Sequence, residues 1–167
     1  MQHMGKDLHP DAQNGIAHHP EHVPALMQLM GKDLDREAQY SIAQHPEHVP
    51  ALMQHMGKDL HSGAQHRIGA NHSEHVPALM QLMGKDLHPN AQRRIAQQYS
   101  EHVLALMQLM GKDLHSDAQD RIAEHPEHVP ALMRLMGKDL HSDAQDRIAE
   151  HPEHVPALMQ LMGKGIY

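Results

Sequence analysis

The stretch HPEHVPALMRLMGKDLHSDAQDRIAE, His125–Glu150, is followed at once by HPEHVPALMQLMGK from His151. The chain starts the same phrase again, so a repeat decides the fold and no single segment does. The triplet Glu-His-Val marks the period. It begins at Glu21, Glu47, Glu74, Glu101, Glu127 and Glu153, at spacings of 26 or 27 residues. Each longer spacing carries one extra residue ahead of the triplet, where Asn71-His72-Ser73 and Gln98-Tyr99-Ser100 replace His-Pro. Both flanks stay in phase, as a local loop insertion in a repeat array allows.

Each unit holds two short helical segments. The first reads DAQDRIAE at Asp117–Glu124. Pro10 and Pro89 open its equivalents, at the first helical position that proline suits, and Asp35 stands where an N-cap belongs. Ser116 with Gln119 fits a capping box if the helix starts one residue later; the two starts remain open. Ala118 and Ile122 share a face, and Pro126 ends the segment. The second reads VPALMRLMG at Val129–Gly137, with Pro130 placed at its start. Val129, Leu132, Met133 and Met136 fall at i, i+3, i+4 and i+7, the period of an amphipathic helix. Gly137 is the expected left-handed stop, and Leu140 folds back on the last turn. Leu135 is a weaker core position, since His55 takes its place in the third unit. Between the helices, PEHV is short enough for a single 3₁₀-like turn.

Helices of about two turns are marginal in water, below the roughly 12 residues that an isolated helix needs. One unit cannot bury its own apolar face, so neighbours must cover it. The expected fold is all-α: an α-solenoid superhelix of six two-helix repeats, with boundaries near 8, 34, 60, 87, 114 and 140, forming one repeat domain over 1–167. No segment alternates with period two, and Val and Ile are sparse, which argues against strands.

These residues resemble the leucine-rich repeat variant family, a class of short bacterial α-helical tandem repeats. Arg121-Ile122-Ala123 match its Arg-aliphatic-Ala core, Pro126 and Pro130 its proline pair, and Leu132, Leu135 and Asp139 its spaced leucines and following Asp. The present unit is about two residues longer, with wider proline spacing. The resemblance implies a superhelix of alternating α- and 3₁₀-helices and transfers no catalytic residue.

Composition narrows the chemistry. The 167 residues contain no Cys, Phe or Trp, three Tyr and 14 Met. Disulfides, thiolate metal sites and Cys nucleophiles are excluded, and the core must be aliphatic and thioether. The formal charge is −7 with His neutral; protonating all 20 His takes it from −7 to +13. No stretch approaches the roughly 18 apolar residues of a membrane span, and MQHMGKDLHP lacks the pattern of a signal peptide. The expectation is a soluble cytoplasmic protein without membrane partners; a removed targeting segment would make it extracellular.

Neither end carries an obvious polar cap, although solenoids need one. At one end Leu8 and Ile16 lack a preceding helix, and at the other Leu158, Met159 and Met162 lack a following one. The two faces should be complementary, because their equivalents meet inside the array. Contact of that kind joins copies head to tail into filaments or tubes unless the rotation closes. The competing account is an array cut within a repeat.

Histidine is the candidate for metal chemistry. His45 and His48, His125 and His128, and His151 and His154 flank Pro-Glu, as do His19 and His22. Two imidazoles and a carboxylate on one turn could hold Zn, Ni or Cu, but further ligands would be needed. The bland account is loop-capping imidazoles copied by duplication, which implies no cofactor. The Glu-His pair recurs in all six units, and an enzyme needs one converged pocket. Glu then offsets a helix dipole, and Gln of the constant Ala-Gln pair bridges to a loop carbonyl of the next unit. The Met pairs could ligate copper(I) but fit a Leu-rich core better.

The variable pair after Ala-Gln reads Asn14-Gly15, Tyr40-Ser41, His66-Arg67, Arg93-Arg94, Asp120-Arg121 and Asp146-Arg147. Changing residues in a constant frame suggest a reader of one base per unit, yet 14 basic against 21 acidic residues do not make a phosphate-binding surface. Drift on an exposed face is the plainer account.

The sequence therefore points to a non-enzymatic repeat protein that binds itself or another protein. A His-rich metal-binding or pH-responsive protein is the alternative, and a weak nucleic-acid reader the third. A single excised unit is expected to show a disordered circular dichroism spectrum, while the full chain is helical.

Overall fold

A computed structural model describes residues 8–163. The first helices of successive repeats are α1 (Pro10–Ala17), α3 (Arg36–Ile42), α5 (Ser62–Asn71), α7 (Pro89–Gln98), α9 (Ser116–Ala123) and α11 (Ser142–Ala149). The second helices are α2 (Val23–Met30), α4 (Val49–Met56), α6 (Val76–Met83), α8 (Ser100–Met110), α10 (Val129–Met136) and α12 (Val155–Gly163). The fold is an all-α, solenoid-like tandem repeat, with no strand among the described residues. Short 3₁₀ segments alternate with the α-helices, such as Pro126–His128 before α10 and Gly137–Asp139 after it.

Proline partitions each repeat. His125, ahead of Pro126, is extended at φ −105° and ψ 101°, so α9 stops two residues earlier. Pro130 then takes the second position of α10, one later than the sequence suggested, because Val129 is already helical. The fourth repeat shows what proline does by lacking it. Leu104 replaces the second proline and Ser100 the first. With its N–H restored, the segment runs as one α-helix from Ser100 to Met110, and the 3₁₀ turn disappears. Leu104 is left 58% exposed.

The extra residue of the third and fourth repeats does not form a loop. With no proline to stop them, α5 and α7 run to 10 residues, against 8 in α9 and α11.

The first helices start one residue earlier than a Ser116 cap requires. His115 is the N-cap, and its Nδ1 accepts from the Asp117 backbone N–H at 3.1 Å. His9, His61, His88 and His141 do the same for Asp11, Gly63, Asn90 and Asp143. Asp35 caps α3 as expected, accepting from Glu37 N–H at 2.9 Å. Ser116 becomes the first helical residue, so no capping box forms. Imidazole is an uncommon cap. It serves here because the extended backbone at this position brings Nδ1 over the first turn.

The second helices end at a positive-φ glycine, but not in the left-handed α region. Gly137 has φ 53° and ψ −131°, and Gly31, Gly57, Gly84 and Gly111 match it closely. Those angles are the first central position of a type II′ turn, which only glycine takes without strain. The turn sends the chain into Lys-Asp and lands Leu140, 3% exposed, on the core.

The Cα framework divides into two units between Ala91 and Gln92, inside α7. In the first unit α1, α3 and α5 pack side by side, each against its own second helix; α9 and α11 do so in the second. Val129, Leu132, Met133 and Met136 are buried at 7% exposure or less, as are Ala118 and Ile122. The Met pairs from Met27/Met30 to Met133/Met136 are core; Met159 and Met162 are not buried. Leu135 stays half-exposed, in keeping with His55 at the equivalent place.

Gly137→Ala should lower stability by about 1–3 kcal/mol, the cost of forcing an alanine into that backbone, since a Cβ there meets only Lys112 Nζ at 3.8 Å. Gly15→Ala, inside α1 with open space around it, should raise stability by about 0.5–1 kcal/mol. Denaturant midpoints of the two variants are expected to move in opposite directions.

Candidate functional site

The constant glutamine of Ala-Gln is the polar centre of every joint between repeats. Gln119 is 4% exposed. Its Nε2 donates to Leu114 O at 3.0 Å, and its Oε1 accepts the backbone N–H of His141, the cap of the next repeat, at 2.9 Å. Gln13 bridges Leu8 O to Asp35 N–H, Gln39 bridges Leu34 O to His61 N–H, and Gln65 bridges Leu60 O to His88 N–H. The bridge to the next unit exists, but through its N–H; the carbonyl belongs to the glutamine's own repeat. That follows from the amide's two ends: the N-cap leaves a donor facing back, and only the oxygen can meet it.

Histidine supplies a second set of ties. His72 Nε2 donates to Ala43 O at 2.8 Å and His75 Nε2 to Pro46 O at 3.1 Å. In the second unit His151 and His154 reach Ala123 O and Pro126 O, each at 3.1 Å. The imidazoles of each pair stand edge to face, 6.1 Å between centroids for His45–His48 and for His125–His128, and 6.2 Å for His151–His154. His45, His48 and His125 turn Nε2 inward without a hydrogen-bond partner, and His128 Nε2 lies 3.4 Å from Ser100 Oγ. Among the described residues no group of three His, Asp or Glu is placed to hold a metal ion.

Lysine makes a third tie that the sequence reading missed. Lys32 Nζ donates to His55 O and Met56 O, Lys58 to Met83 O, and Lys112 to Met136 O, at 2.8–2.9 Å. Each meets the carbonyl end of the next repeat's second helix, where a cation is favoured. Lys58 and Lys112 also lie 3.2 and 3.3 Å from Asp86 and Asp139, all four well exposed. The Lys-Asp that follows Gly31, Gly57, Gly84, Gly111 and Gly137 was the available signal.

The variable pairs are not a free surface. Ser41 is buried and donates from Oγ to Asn14 Oδ1. Arg67 Nη1 donates to Tyr40 OH at 3.3 Å, with Cζ 5.4 Å from the ring centroid. Arg147 Nε meets Asp120 Oδ1, and its Nη2 meets Glu124 Oε2, both at 3.4 Å. That hydrogen bond to Asp120 and the charge of Asp120 hold the Arg147 guanidinium still more firmly protonated; Glu124 and Glu150 add to the effect. The first member of one pair thus meets the second member of the next. Arg121 turns to its own Glu124 at 3.0 Å; His66, Arg93 and Arg94 are half-buried, while Gly15 and Asp146 are exposed.

Leu8 and Ile16 are half-buried, whereas Leu34 and Ile42 are 4% and 0% exposed. On α12 Leu158 and Met162 are half-buried and Met159 is 64% exposed; Leu132, Met133 and Met136 are 0%, 7% and 1%. Ile16, His22, Ala25, Leu26 and Leu29 line an apolar groove on the outer side of α1 and α2. No helix among the described residues is long and apolar enough to cross a membrane. No family model, curated protein or solved structure matches the chain.

Gln119→Ala would strand Leu114 O and the His141 N–H inside a joint. At about 1–3 kcal/mol for each unsatisfied group, thermal or denaturant unfolding should show a loss of several kcal/mol, well beyond that of an exposed control such as Gln108→Ala.

Proposed function

We propose that this chain is a non-catalytic, protein-binding repeat whose preferred partner is a second copy of itself, joined head to tail. One observation carries the reading: Met159 stands 64% exposed while its equivalents meet fixed neighbours. Met27 shares a groove with Ala51 and His55, and Met107 shares one with Ala131 and Leu135. Ala25 and Leu29 are the matching lining of the outer groove at α2. Met159 of one copy therefore fits the α2 groove of the next, with Leu158 and Met162 beside it and Ile16 opposite. Burying side chains of this size contributes about 1.5–3 kcal/mol each when complete.

A contact between two different faces leaves one of each free. Growth then continues into a filament unless the rotation closes a ring. Catalysis has little support, because the polar side chains recur at every joint and are used there. Metal binding at the His-Pro-Glu-His turns has less support: His151 and His154 Nε2 already donate to carbonyls, and the unpartnered Nε2 atoms of His45, His48 and His125 belong to no group of three candidate ligands among the described residues. A base-reading role is weakened by variable pairs that face each other. The alternation of α- and 3₁₀-helix supports placing the chain with the leucine-rich repeat variant family.

Light scattering and sedimentation velocity at rising protein concentration should show growing particles, and electron micrographs should show filaments. Met159→Glu should reduce the protein to a monomer with unchanged helicity. A wild-type chain that stays monomeric at every concentration overturns the reading.

A further inference from the structure

We infer that Arg93 and Arg94 of α7, with Arg121 of α9, form a docking site for an acidic peptide segment of a partner protein. All three lie in the second unit, on first helices, and the site does not depend on the end faces.

The second unit holds one kind of joint twice, once with its carboxylates and once without. Gln92 Oε1 accepts the His115 N–H at 3.0 Å, and Gln119 Oε1 accepts the His141 N–H at 2.9 Å. The same tie therefore joins α7 to α9 and α9 to α11. At α9–α11, Arg147 meets Asp120 Oδ1 and Glu124 Oε2, both at 3.4 Å. In α7, Arg93 stands in the place of Asp120 and Gln97 in the place of Glu124. Each exchange removes a negative charge, and the first adds a positive one. Arg121, the counterpart of Arg147, turns instead to its own Glu124 at 3.0 Å. That carboxylate is already shared, because Arg147 approaches the same oxygen.

Arg93 and Arg94 are thus left over. Both are half-buried, and neither forms an ion pair with a carboxylate among the described residues. Arg94 Nε is buried without a hydrogen-bond partner, and so is Gln97 Oε1. A guanidinium shielded from water without an anion is costly, so a ligand that brings the anion is favoured.

The neighbouring joint indicates which anion fits. There the arginine is met by carboxylates, which suit its planar fork. Phosphate sites commonly draw on the free N–H groups of a helix N-terminus, whereas Arg93 and Arg94 lie inside α7, Pro89–Gln98. Nucleic acid is disfavoured by 14 basic against 21 acidic residues. Three guanidiniums with one shared carboxylate need more than one further negative group. A run of Asp or Glu supplies that, and a lone carboxylic acid does not.

The test titrates a fluorescein-labelled hexaglutamate peptide with the full chain and reads fluorescence anisotropy. Binding should saturate at low salt and fall severalfold at high salt, where exposed charges are screened. Arg93→Asp and Gln97→Glu each supply a missing carboxylate from within. Each should weaken binding on the order of tenfold, the loss of one charge-assisted hydrogen bond, with unchanged helicity and no fall in melting temperature. Arg134→Asp, exposed on α10, changes the net charge as much as Arg93→Asp does. It should leave the affinity within about twofold, as expected for a screened charge outside the site. If the peptide does not bind, or if Arg134→Asp weakens it as much as Arg93→Asp does, the site is overturned. If inorganic phosphate or a thymidine oligonucleotide displaces the peptide at lower concentration than unlabelled hexaglutamate, the assignment to an acidic peptide is overturned.

Discussion

Everything in this structure follows from helices too short to look after themselves. A helix of eight residues has four backbone donors at one end and four acceptors at the other with no partner inside it. Here the neighbouring repeat supplies several of those partners. Gln119 is the clearest case: one buried amide closes the carbonyl of Leu114 in its own repeat and the cap N–H of His141 in the next. The apolar core drives the stacking, but leucine and methionine alone would let repeats slide. The glutamine bridge and the lysine at the helix carbonyls, joined at two joints by imidazole ties, hold neighbouring repeats at one offset.

The same arrangement explains why chemistry-bearing residues gather without forming an active site. Twenty histidines look like a reservoir of ligands or bases. In the structure many of them are used through one particular ring nitrogen. His9, His61, His88, His115 and His141 spend Nδ1 on a helix cap; His72, His75, His151 and His154 spend Nε2 on a carbonyl of the preceding repeat. Both uses need a particular tautomer, and neither leaves a lone pair aimed at a shared point.

Much of the fold was legible in the sequence, because period and proline act locally. The spacing of Val129, Leu132, Met133 and Met136 identified the buried face, and Pro126 the end of the preceding helix. What was not legible depends on groups a full repeat apart. Imidazole is a rare N-cap, so the start marked by Asp35 and Pro89 and the start capped by Ser116 stayed open, and the extended backbone at His115 decides between them. The insertion at Asn71 looked like a loop; it prolongs α5 because the missing proline removes the stop. The pairs after Ala-Gln looked like drift on an outer face, since nothing along the chain shows that Tyr40 lies beside Arg67.

The bridging amide also bears on how such a gene can change. One of its ties stays within its own repeat and the other joins the same two positions at each joint, so deleting or doubling a whole period leaves each glutamine a fresh partner of the same kind. Recombination between misaligned copies would yield shorter or longer chains that still fold. The Asn14–Ser41, Tyr40–Arg67 and Asp120–Arg147 matches, which differ from joint to joint, would be reshuffled.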